Sequence, residues 1–140
     1  MCLEKDKMIW IFKTTLKIRR FEEKVAELYT RGLIPGPAHL YIGQEAIAAG
    51  VCANLREDSY VTSTHRGHGH FIARGARLDM ALAELLGKET GYCKGRSGSM
   101  HLAKFNKGIF VADSIVAAGI PIAVGMGLAI KMKKTDQVAV

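Results

Sequence analysis

Residues 115–130, IVAAGIPIAVGMGLAI, carry no charge and no polar side chain, and Lys131, Lys133 and Lys134 follow almost at once. Such a run has to leave water. It is shorter than the ~20 residues that a helix needs to cross a bilayer, and Gly119, Pro121, Gly125 and Gly127 interrupt it. It therefore predicts a helix buried on all sides, with no membrane span. A chain of 140 residues with 49% hydrophobic content can build one domain with a core around such a helix.

The rest of the sequence supplies layers for that core. Met8, Phe12 and Leu16, then Phe21, Val25 and Leu28, recur at helical spacing and predict an N-terminal helix over residues 7–31, ended by Gly32. Pro35, Gly36 and Pro37 force an irregular loop that delivers His39 to a fixed place. Residues 44–55 predict a small-residue helix, with Glu45 favourable at its positive end. Residues 58–63 predict a short strand, and RLDMALAELLGK an amphipathic helix stopped by Gly87. Residues 91–108, rich in Gly, Lys, Arg and Ser, predict an exposed, mobile loop, and DQVAV at 136–140 a strand. Helices alternating with short apolar strands give an α/β class.

Twenty Lys and Arg against thirteen Asp and Glu leave a net charge of +7, which suits an anionic partner. Nucleic acid is disfavoured, because aromatic residues are few and no RRM, KH or helix-turn-helix pattern occurs. Cys2, Cys52 and Cys93 are odd in number and widely spaced, so a reduced, cytoplasmic compartment is expected. The N-terminus carries Glu4 and Asp6 and lacks the apolar run of a secretory signal.

Chemistry concentrates in three places. STHRGHGH, residues 63–70, offers His65, His68 and His70, but no carboxylate or cysteine beside them completes a metal set. It reads equally as an anion site, with Arg66 as a bidentate fork, or as a basic surface loop without a ligand. KGRSGSMH, residues 94–101, is neither a Walker A loop nor a dinucleotide fingerprint and reads as a solvated linker. His39 reads as a hydrogen-bonded structural histidine or as a catalytic one.

RRFEEKVAELYTRGLIPGPAHLYIGQEAIAAGV, STHRGHGHFIARG, LAELLGKETGYCKGRSGSMHLA and SIVAAGIPIAVGMGLAIK, in this order, resemble the α subunit of thiamine-diphosphate-dependent 2-oxo acid dehydrogenases. The likeness runs from about Arg19 to the last residue, and THRGHGH looks most like the acetoin branch of the pyruvate and acetoin type. The resemblance implies the N-terminal part of a thiamine-diphosphate-binding fold: one partial domain over residues 1–140, with a mostly parallel sheet flanked by helices and truncated after an early core strand. It implies thiamine diphosphate held between α and β subunits of a heterotetramer. A lipoyl-bearing acyltransferase would receive the acyl fragment of acetoin or of a 2-oxo acid such as pyruvate.

Carried over by the same resemblance, His65 and Arg66 lie at the cofactor, with Arg66 facing the diphosphate. Ser114 and Val116 touch it through backbone groups, His39 lines the substrate end, and His68 and His101 lie along the substrate channel. Two departures follow. SIV stands where many relatives have Gly-Ile-Val, so Ser114 is expected in a glycine-like backbone conformation. The Gly-Asp-Gly motif that supplies Mg²⁺ ligands does not occur, so those ligands are expected beyond the end of the chain. The alternative is a catalytically silent fragment that keeps only contact surfaces.

Overall fold

The computed structural model describes residues 4–105 and 110–140. Cys2 and the end of the loop expected at 91–108 lie outside the described residues. Helix α1 (Lys5–Thr30) buries Thr14, Ile18, Phe21, Glu22, Val25 and Leu28. Met8, Phe12 and Leu16, expected on the same stripe, are exposed. At about 100° per residue they fall on a different side of the helix from Ile18 and Val25, so α1 carries two apolar faces and the core takes one. The helix ends as expected: Gly32 turns left-handed at φ 70°, and Leu33 N–H returns to the Leu28 carbonyl at 3.1 Å.

Helix α2 (Glu45–Cys52) packs on α1 through Ala48 and Cys52, where small side chains allow close approach. Strand β1 (Val61–Ser63) leads into α3 (His68–Ala73), and α4 (Leu78–Leu85) follows. Two strands come next, β2 (Ala103–Lys104) and β3 (Phe110–Ala112), and then α5 (Gly119–Lys133). The sheet order is β1-β3-β2. β1 runs parallel to β3, with Val61 opposite Phe110 and Ser63 opposite Ala112, and β2 runs antiparallel to β3. The sheet is thus small and mixed, where a mostly parallel one was expected. Residues 138–140 add a parallel bridge at the other edge of β1, with Thr62 N–H on the Val140 carbonyl at 2.7 Å.

Phe21, Val25, Tyr41, Phe71, Leu85, Leu102 and Phe110 belong to one contiguous core. Helix α5 forms where the apolar run predicted it, with Pro121 tolerated in its first turn. Its burial differs from the expectation: only Ile130 is buried, and Val124 is 68% and Met132 75% exposed. The helix rests on β1 along one side and leaves most of its large apolar side chains exposed. No helix of the described residues is long and apolar enough to cross a membrane.

The loop after α4 also differs from the expectation. Glu84, fully buried on α4, accepts backbone N–H groups from Cys93 at 2.7 Å, Gly95 at 2.9 Å and Ser97 at 2.7 Å, and the Ser97 hydroxyl at 2.8 Å. Burial by itself would raise the Glu84 pKa. The donors at Gly95, Ser97 and Cys93 stabilise the carboxylate more than burial penalises it, and hold it below the usual glutamate value. A segment that reads as a solvated linker is therefore fastened to the core by one carboxylate.

Candidate functional site

Parallel neighbouring strands open a crevice at their carboxyl ends, where an α/β sheet receives ligands. β1 and β3 do so here, tied beyond their last residues by Asp113 N–H on the Ser63 carbonyl at 3.1 Å. His65 and Arg66 follow β1, while Ser114 and Val116 follow β3, so all four leave the same end of the sheet. A cavity of about 610 Å³ adjoins this end, lined by Thr62, Ser63, Thr64, Ile115, Ala117 and Val140 among others. Ser114 is half-buried and Val116 exposed.

The glycine-like backbone expected at Ser114 occurs three residues later. Ala117 has φ 71°, whereas Ser114 is not among the described non-glycine residues with positive φ. The Asp113 side chain accepts Ile115 N–H at 2.7 Å, and that turn takes up the change of direction before Ala117. An L side chain at left-handed φ costs about 1–2 kcal/mol, so Ala117→Gly should stabilise the chain by about 0.5–1 kcal/mol in chemical denaturation. Destabilisation would show that the Ala117 methyl does more in packing than it costs in strain.

His39 faces this end of the sheet from the loop between α1 and α2, its ring edge-on to His65 with centroids 5.0 Å apart. Three successive residues of that loop are pinned. Ser99 Oγ accepts His39 N–H at 3.1 Å, Arg66 Nη1 donates to the Leu40 carbonyl, and Glu22 Oε2 accepts Tyr41 N–H at 3.1 Å. The pins are themselves connected: Glu22 Oε1 lies 2.8 Å from His68 Nδ1, and His68 Nε2 lies 2.9 Å from Ser99 Oγ. Glu22 and His68 are fully buried, and Ser99 nearly so. A second relay runs from the Tyr41 hydroxyl to His70 Nε2 at 3.2 Å and from His70 Nδ1 to Ser63 Oγ at 2.9 Å.

Desolvation, then the nearby His65, Arg66 and His68, lower the His39 pKa below the ordinary histidine value. The His39 imidazole is therefore neutral near pH 7. Its Nδ1 is buried and, among the described residues, finds no hydrogen-bond partner. Burial also lowers the His70 pKa and keeps that relay uncharged.

The expected site residues are thus distributed unevenly. His39, His65 and Arg66 come together, with Arg66 committing one nitrogen to the Leu40 carbonyl. His68, expected along the substrate channel, is fully buried, with both ring nitrogens engaged beneath the His39 loop. His101 is exposed at the end of the 88–101 loop and takes no part in these bonds. Glu22, Tyr41 and Ser99 entered these bonds unforeseen, and His70, noted in the 63–70 cluster, serves in the relay to Tyr41 and Ser63. Among the described residues no three His, Cys, Asp or Glu side chains stand together as a metal set.

Comparison with known proteins places the sequence among dehydrogenase subunits. The family described as "Dehydrogenase E1 component" matches residues 13–140. The α subunit of acetoin:2,6-dichlorophenolindophenol oxidoreductase from Bacillus subtilis is 49% identical over 140 residues, all of this chain and 42% of that protein. Its counterpart from Cupriavidus necator is 39% identical over 138 residues, 99% of this chain and 41% of that protein. The pyruvate dehydrogenase E1 component α subunit of Rickettsia bellii is 44% identical over 135 residues, 96% of this chain and 41% of that protein. The chain spans about two-fifths of the length of these relatives. Over that span, it belongs to the dehydrogenase E1 component family.

Proposed function

We propose that the chain serves as the N-terminal part of the α subunit of a thiamine-diphosphate-dependent dehydrogenase acting on acetoin or a 2-oxo acid. One observation supports this most: His65 and Arg66 follow β1 and Ser114 and Val116 follow β3 at the same end of two paired parallel strands, where the His39 ring meets that of His65. The acetoin and pyruvate names of the relatives supply the substrate class.

The residues present fit the anionic end of the cofactor. Arg66 keeps guanidinium nitrogens beyond the one on Leu40, and the backbone of the Ser114 and Val116 segment lies at the carboxyl ends of the strands. They do not by themselves make a magnesium cage, since no acidic cluster stands among the described residues, and Mg²⁺ would draw its ligands from elsewhere. When bound, thiamine diphosphate supplies the thiazolium chemistry that breaks the bond next to the substrate carbonyl. His39, its imidazole held neutral, would hydrogen-bond and orient that carbonyl or its carboxylate. Oxygen acceptors at 39 would not serve as well, because an imidazole offers both a donor and an acceptor.

The proposal includes a β subunit that completes the pocket, a lipoyl-bearing acyltransferase as acyl acceptor, an oligomeric assembly and a cytoplasmic setting. The free thiols of Cys52 and Cys93 are compatible with a reduced compartment. In the assembled α/β enzyme, Arg66→Ala should weaken thiamine diphosphate binding by about 10–100-fold in calorimetric titration with Mg²⁺, the loss of one charge-assisted phosphate contact. Unchanged affinity would contradict the cofactor role of Arg66, and no binding even by the unaltered assembly would favour a silent fragment.

A further inference from the structure

The hydrogen bonds beneath the His39 loop have a direction. Glu22 as a carboxylate can only accept, so Nδ1 of His68 carries hydrogen toward Oε1 at 2.8 Å. When Nδ1 carries the only ring hydrogen, Nε2 is an acceptor for the Ser99 hydroxyl at 2.9 Å. Ser99 Oγ then has its lone pairs free for His39 N–H at 3.1 Å. Every donor along this line has an acceptor, and the other carboxylate oxygen takes Tyr41 N–H at 3.1 Å.

One buried carboxylate therefore governs the backbone on both sides of Leu40, directly at 41 and through two side chains at 39. Because His39 carries the ring that faces His65, a change in this line moves the imidazole without removing it. We propose that Glu22, acting through His68 and Ser99, is a positioning residue that sets where His39 stands toward substrate. This rests on the reading of His39 as a substrate-facing group. It gives His68 and Ser99 a task distinct from contact with cofactor or substrate.

The substitution Glu22→Gln tests the direction of the line. An amide oxygen can accept from only one side, and its NH₂ would face His68, reversing the tautomer and the Ser99 hydroxyl with it. Ser99→Ala removes the acceptor of His39 N–H at the surface end of the line and is the variant to use if Glu22→Gln fails to fold. Ser99→Thr keeps the hydroxyl.

In the assembled α/β enzyme with thiamine diphosphate and Mg²⁺, Ser99→Ala and Glu22→Gln should each lower kcat, on the order of 100-fold for a displacement near 1 Å, with cofactor affinity within about twofold of the parent. Ser99→Thr should restore most of the loss. Amide hydrogen exchange at His39 should quicken in Ser99→Ala, a readout independent of turnover. In a His39→Ala background the same substitutions should cost little more, because they act through the ring already removed.

Full additivity in that background, or a kcat unchanged in Ser99→Ala while His39→Ala lowers it, would overturn the positioning role and leave the His39 assignment intact. A kcat unchanged in His39→Ala would overturn that assignment, and the positioning role with it.

Discussion

Glu84→Ala should lower the stability of the chain by about 2–4 kcal/mol, because it strands several half-buried donors at once. Four hydrogen bonds converge on this carboxylate, three from backbone N–H groups of the 93–97 segment and one from the Ser97 hydroxyl. Without it the segment loses its tether to α4 and Ser99 loses its support. Chemical denaturation measures the first effect, and limited proteolysis within residues 93–97 the second. Glu84→Gln should fall between, since its amide oxygen still accepts while its NH₂ faces donors.

The same carboxylate has a pH signature. Its folded-state pKa lies below the ordinary glutamate value, so its contribution is complete above about pH 4.5 and is lost as pH falls through the folded-state pKa. In Glu84→Gln that part of the acid sensitivity should vanish. A variant as stable and as protease-resistant as the parent would show that the loop is held by other means.

Gly69→Ala should cost about 3 kcal/mol, the upper end for overpacking, for a geometric reason. A Cβ at 69 would intrude on the ring of Tyr41, which is among the largest fully buried side chains. The ring cannot retreat freely, because its hydroxyl meets His70 and its own N–H is held by Glu22. Gly125→Ala is the matched control: its added methyl meets nothing within 4 Å on α5 and should stabilise by about 0.5–1 kcal/mol through helix propensity. Equal thermal shifts in the two variants would mean that α3 and the Tyr41 loop can part without loss.

Local pattern made much of the fold readable before any coordinates. Gly32 and Gly87 stop helices through left-handed backbone, a property of the single residue, and the apolar run at 115–130 becomes α5 because nothing in it opposes a helix. What pattern could not give was which surface a neighbour covers. Met8, Phe12 and Leu16 looked like core and face outward, as does most of α5. Glu22 and Glu84 looked like surface charges, the default for their type, and are sealed inside.

The candidate site divides in the same way. His39, His65 and Arg66 stood out as residue types with chemistry, and they do meet. Glu22 lies in RRFEEK, where two adjacent glutamates on a helix offer no sign of which one turns inward. Ser99 lies in a segment whose composition speaks for solvent. Each owes its place to a partner tens of residues away, which no local window contains.

The pins on the His39 loop also bear on the order in which the molecule assembles. They bridge separations of 60 residues from Ser99, 26 from Arg66 and 19 from Glu22. Loop-closure entropy grows only with the logarithm of such spans, so the longest contact adds little equilibrium penalty. It does add waiting time, because residues 39–41 cannot settle until the chain as far as Ser99 has been brought home. The His39 loop is accordingly expected among the last parts to form, and to open with the body of the fold rather than by a private motion of its own.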